Sequence, residues 1–140
     1  GYPVNIRFSR VGGFTSEEIR RWSSKHLAPK RAVFTDGLAC FNSLSVEGHF
    51  HWAFITQGGK NVKTSKLFNW INIIIGNVKN SIRGTYHGID HRHLPRYLAE
   101  FCYRFNRRYK LANMIENLIY HSAHTLPIPQ RKLSLAEDWW

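Results

Sequence analysis

Arg31-Ala32-Val33-Phe34-Thr35-Asp36-Gly37 is the stretch on which the fold reading turns. Its short apolar core, Ala32-Val33-Phe34, predicts a strand that ends where Asp36-Gly37 supplies turn chemistry. A short helix is predicted next, over Leu38 to Leu44. Upstream, Thr15-Ser16-Glu17-Glu18 reads as a helix start, with a hydroxyl cap and acids in the first turn. That helix runs through Ile19 to Leu27 and stops at Pro29. Val4-Asn5-Ile6-Arg7-Phe8 alternates apolar and polar residues, as a half-buried strand does, and Gly12-Gly13 ends it. Downstream, His49 to Ile55 reads as another strand. The order strand, helix, strand, helix, strand is an α/β rhythm.

The rest of the chain is more helical. A loop through Gln57-Gly58-Gly59-Lys60 leads to a predicted helix from Ser65 to Arg83. A turn-rich joint follows from Gly84 to Asp90, then helices over His91 to Arg108 and Leu111 to His121. Residues 1–126 form the expected body. Residues 127–140, beginning Pro127-Ile128-Pro129, are expected to be an extended surface tail whose Trp139 and Trp140 fold back on the body.

At 140 residues, with 43% hydrophobic and 14% aromatic content, the chain can build one packed core. The net charge of +11 calls for a polyanionic partner, and nucleic acid suits a basic, aromatic-rich chain best, although ribosomal proteins and simple basic enzymes share the signature. The two cysteines, Cys40 and Cys102, form no Cys-x-x-Cys pair, which argues against a disulfide framework or zinc knuckle and for a reducing, cytoplasmic setting. No apolar run reaches membrane-spanning length, and no signal peptide opens the chain. It begins with Gly1, and its one methionine is Met114, so further residues are expected upstream.

Projected at about 100° per residue, Ser65, Asn69, Asn72, Gly76, Lys79 and Arg83 fall in one stripe about 80° wide. Leu67, Phe68, Trp70, Ile71, Ile73, Ile74, Ile75 and Val78 make up the rest of that helix. So apolar a helix predicts burial, with its polar stripe turned to a cleft or polar partner. Asn72 and Lys79 lie two turns apart on that stripe, spaced to present a metal-side amide and a phosphate-side ammonium to one site. The stripe alone equally allows Asn72 to bond a loop and Lys79 to be solvated. Asp36 sits at a strand end, where α/β enzymes often project a carboxylate into a site, though Asp-Gly is also an ordinary turn.

The following helix separates an apolar arc (Leu94, Leu98, Phe101, Cys102, Phe105) from a basic one (Arg92, Arg96, Arg104, Arg107, Arg108). From Lys79 to Lys110 there are eight Lys or Arg against two acids, Asp90 and Glu100, a concentration that can hold phosphates. A solvated basic face is the plainer alternative. His49 and His51 share a strand face, and His87, His91 and His93 gather in the joint. No carboxylate or cysteine completes a recognised ligand spacing with them, so surface, structural or phosphate-facing roles are expected.

Phe68-Asn69-Trp70-Ile71-Asn72, Gly76-Asn77-Val78-Lys79, Arg83-Gly84-Thr85-Tyr86-His87-Gly88 and Arg96-Tyr97-Leu98-Ala99-Glu100-Phe101-Cys102-Tyr103-Arg104-Phe105-Asn106-Arg107-Arg108 together resemble bacterial insertion-sequence transposases of the DDE superfamily. The likeness is greatest to the subgroup with asparagine at the third acidic position and a lysine after it, and it is strong over residues 31 to 110. Phe34-Thr35-Asp36-Gly37-Leu38 resembles the strand end bearing the second aspartate.

The resemblance implies a partial ribonuclease-H-like α/β fold, a mixed sheet flanked by helices with a helical C-terminal part. It implies Asp36 and Asn72 as metal positions and Lys79 as the catalytic lysine, with Mg²⁺ or Mn²⁺ in the complete protein. It implies DNA partners, namely transposon ends and target, held by Arg83, His87, Arg92, Arg96, Arg104, Arg107 and Arg108, and it allows a homo-oligomer. The family's first aspartate has no match here. In two-metal chemistry that carboxylate bridges the ions, and neutral Asn72 binds a cation less tightly than Glu would, so these residues alone are expected to be a C-terminal fragment that binds metal poorly and does not cleave. The expected function is metal-dependent DNA strand cleavage and transfer in the complete protein. The alternative is a non-catalytic basic nucleic-acid-binding module.

Overall fold

The computed structural model describes residues 2–55 and 66–130, and it shows a mixed α/β chain divided into two compact units, residues 11–72 and residues 1–10 with 73–140. The described elements are α1 (Ser16–His26), β1 (Ala32–Thr35), a 3₁₀ turn (Ala39–Asn42), α2 (Ser43–Val46), β2 (Phe50–Ala53), α3 (Asn69–Tyr86), α4 (Leu94–Arg107) and α5 (Ala112–His124).

In the 11–72 unit, α1 begins as its sequence predicts. The Thr15 hydroxyl accepts the Glu18 backbone N–H at 3.3 Å, and the Glu18 carboxylate reaches back to Gly12 N–H at 3.4 Å. The first bond satisfies a donor that the first helical turn leaves open, and the second ties down the segment that leads into the helix. Arg20 ties α1 to the end of α2 through Glu47, 3.2 Å away. Ile19, Cys40 and Leu44 form the core, with Leu27, Val33 and Phe41 packed against it. β1 and β2 pair in parallel, Ala32 opposite Phe50 through Thr35 opposite Ala53. The helical turns between them make the connection that parallel strands require.

In the other unit, the alternating stretch Val4 to Phe8 belongs to no strand among the described residues. With no neighbouring strand among the described residues, α4 side chains take up its backbone groups instead. Asn106 accepts the Ile6 N–H at 2.7 Å and donates to the Ile6 carbonyl at 3.0 Å, while Cys102 Sγ accepts the Phe8 N–H at 3.3 Å. Arg108 donates to the carbonyls of Pro3 and Val4, and Phe8 meets Phe101 edge to face at 6.3 Å. The predicted strand is thus replaced by a strap held by one helix.

The boundary between the units falls within α3, between Asn72 and Ile73. The helix extends past the expected end at Arg83 through Gly84-Thr85-Tyr86, because nothing in that triplet forbids helical geometry. It stops where His87 and Gly88 turn to positive φ, 51° and 141°, the left-handed turn that ends many helices. Its predicted burial is only partly realised. Ile74 and Val78 are buried, whereas Ile71 and Ile73 remain 49% and 42% exposed. Asp90 then shapes the joint into α4, accepting the Arg92 N–H at 2.9 Å, and Pro95 enters in the first turn of α4, where its missing N–H costs nothing. Pro95, Leu98 and Cys102 are its buried residues. α5 has no buried residue. The predicted loop at 57–60, Ser65, and Trp139 and Trp140 lie outside the described residues. Among the described residues, no helix is long and apolar enough to cross a membrane.

Candidate functional site

Asp36 leaves the end of β1 at an exposed position, and its Oδ1 accepts the Leu38 N–H at 3.4 Å. The next residue, Gly37, has φ +90°, and a Cβ there would come 3.1 Å from Ile55 Cγ1. Turn chemistry and a strand-end carboxylate are therefore both present at this position. The strand behind Asp36 is held at both ends by histidines. Buried Thr35 shares a 2.8 Å hydrogen bond between Oγ1 and His51 Nε2, and buried His49 accepts the Arg31 N–H on Nδ1 at 3.3 Å. The face shared by His49 and His51 thus fixes strand geometry. The β-strand parity was legible in the sequence, but their partners depend on the parallel register, which it does not reveal.

Asn72 and Lys79 both lie on α3, as predicted, and both are exposed together with Asn69 and Arg83. The polar stripe is therefore open rather than enclosed. Asn72 and Lys79 are seven positions apart in the α3 sequence, on either side of the boundary between the units.

The basic residues beyond α3 differ in how far they are already engaged. Arg92 clasps Asp90 through Nε at 2.9 Å and a terminal nitrogen at 2.7 Å. These bonds, first the side-chain pair and then the backbone N–H, hold the Asp90 carboxyl well below the usual carboxylate range and raise the Arg92 guanidinium in turn. Arg104 pairs with Glu100, with one bond at 3.1 Å. Arg107 lies over the Tyr103 ring at 3.8 Å, and Arg108 lies over Phe105 at 3.8 Å while holding the strap. Arg96 is half-buried and already engaged by a partner, and His87 is exposed at the end of α3. The sequence separated basic from apolar arcs correctly, but it could not show which cations are occupied by internal partners.

Burial pushes the Cys102 thiol up, against the smaller opposing effects of the Phe8 N–H and the Arg7 charge. No group of three or more His, Cys, Asp or Glu among the described residues could hold a metal ion. One exposed carboxylate and one neutral amide are too few donors for the oxygen-rich coordination that Mg²⁺ demands. These residues do not by themselves fit a divalent ion.

A family model described as ISXO2-like transposase domain matches residues 1–106. No curated protein and no solved structure matches the chain.

Proposed function

Since the chain belongs to the ISXO2-like transposase family, which its residues 1–106 match, we propose that it serves DNA transposition as the later part of a DDE-type, ribonuclease-H-like catalytic domain. That match carries the reading, and the open cationic stripe of α3 supports it. Asp36 stands for the second metal-binding carboxylate, Asn72 for the third position and Lys79 for a contact to the reacting or neighbouring phosphate. The ion in the full site would be Mg²⁺ or Mn²⁺, stabilising charge on the attacking and leaving oxygens. What these residues do without it is more limited. Lys79 and Arg83 attract and align a phosphate backbone, and the Thr35–His51 bond keeps the Asp36 strand end in place.

The 140 residues contain no match to the family's first aspartate, so alone they bind DNA without cutting it. The test is a strand-transfer assay on a protein in which the family's first-carboxylate strand is joined ahead of residue 1. Asp36→Ala should abolish joining there while DNA binding persists. Undiminished joining would refute the site, and joining absent from both proteins with binding intact would favour a non-catalytic basic DNA-binding module.

A further inference from the structure

Acids and bases in the 11–72 unit are unevenly paired. Its glutamates are all engaged by arginines of α1, Glu17 and Glu47 by Arg20 at 3.4 and 3.2 Å and Glu18 by Arg21 at 2.9 Å. Its one aspartate, Asp36, lies past the far end of β1, with its carboxylate on the Leu38 N–H. Lys25 in the last turn of α1, and Lys30 and Arg31 between α1 and β1, are exposed. Among the described residues no acid pairs with any of them. Three cations close together in sequence therefore stand without a counter-charge.

Two features of this turn set it apart from ordinary solvated lysines. Lys30 has φ +56°, in the left-handed region that glycine or asparagine usually fills. A lysine there holds a costly backbone conformation that glycine would adopt freely, and such outliers gather where a side chain meets a ligand. Arg31 extends from a backbone fixed on both sides. Its N–H donates to His49 Nδ1 at 3.3 Å, and its carbonyl accepts the Phe50 N–H at 2.9 Å. A guanidinium carried by fixed backbone loses less freedom on binding.

Charge identifies the ligand as an oxyanion, which guanidinium and ammonium groups without acidic partners recognise. In a chain of net charge +11 that acts on DNA, the reading proposed above and the one this inference rests on, that oxyanion is a phosphate of the duplex backbone. We propose that Lys25, Lys30 and Arg31 form a second phosphate-binding site, at the opposite end of the four-residue β1 from Asp36. It anchors duplex away from the strand that reaches Asp36, and it takes no part in the chemistry there.

The test is acylation of surface lysines on the intact chain, alone and with a duplex of about 20 base pairs, read by mass spectrometry. Lys25 and Lys30 should be protected by the duplex about as strongly as Lys79. Protection of Lys79 without Lys25 and Lys30 would overturn this site and leave the DNA reading standing, whereas protection of none of the three would refute both. The measurement uses the unaltered protein, so it stands even where a variant misfolds. Lys30→Gln combined with Arg31→Gln should lower the magnitude of the slope of log K against log salt by about 1.8, the value of two phosphate contacts. Lys30→Gly relieves the left-handed backbone while removing the ammonium, so its melting temperature should hold or rise while the slope falls by about 0.9. An unchanged slope in the double variant would overturn the proposal. Failure of strand transfer with Lys25 and Lys30 still protected would refute the transposition reading and leave this site intact.

Discussion

Asn106 presents a donor and an acceptor from one side chain to both backbone groups of Ile6, 100 residues away in sequence. A neighbouring strand would satisfy the same pair, so the strap depends heavily on this amide. Asn106→Ala should destabilise the chain by about 1–3 kcal/mol, the cost of leaving part-buried groups unpaired, and urea unfolding measures it. Asn106→Asp keeps the acceptor but sets a negative charge against the Ile6 carbonyl, so it should be no better than Ala. The asparagine was visible within a family-like motif, but its role was not, because no local pattern encodes a partner 100 residues away. Asp90 gives a second residue-level expectation. Arg92 holds its carboxyl below the ordinary value of 3.8, so folding favours the charged form. That contribution is complete above the unfolded value and is lost gradually as pH falls from there through the lower folded value. The stability gap between parent and Asp90→Asn should therefore be full at pH 7 and narrow progressively as pH falls below about 4. A gap that widens toward acid would contradict the pairing.

The elements repeat this contrast between local and distant determinants. α1 was readable from Thr15 to Leu27 because its cap, acidic first turn and stopping proline are all contained in the sequence around it. β1 and β2 were readable for the same reason, yet their parallel pairing was not. Val4 to Phe8 has the alternation of a strand without a strand beside it, which periodicity cannot detect. α3 was read in the right place, but the full burial inferred from its apolar residues holds only at Ile74 and Val78. Glycines on these elements allow opposite predictions. Gly76 lies within α3 with nothing within 4 Å of an added Cβ. Gly76→Ala should stabilise by about 1 kcal/mol through helix propensity alone. Gly37 combines φ +90° with a 3.1 Å approach to Ile55, so Gly37→Ala should destabilise by more than about 1 kcal/mol. Thermal melts of the two variants should move in opposite directions; a rise with Gly37→Ala would contradict the turn geometry at Asp36-Gly37, and a fall with Gly76→Ala would contradict the open space beside α3.

For the whole molecule, the question is how a formal charge of +11 is used. Counting arginines overstates the surface available to DNA, because Arg92, Arg104 and Arg108 are engaged by Asp90, Glu100 and the strap. Breaking those contacts to reach a phosphate exchanges one partner for another. Among the described residues, no internal partner holds the exposed Lys79 and Arg83 on α3. The two groups should separate in the salt dependence of duplex binding, where each phosphate contact adds about 0.9 to the magnitude of the slope of log K against log salt. Lys79→Ala and Arg83→Ala should each reduce that slope by about one contact and leave the melting temperature nearly unchanged. Arg108→Ala should do the reverse, lowering the melting temperature by releasing Pro3 and Val4 while the slope stays close to the parent value. If Arg108→Ala instead cuts the slope and the α3 variants do not, the DNA face lies on α4, and the strap contact is given up on binding.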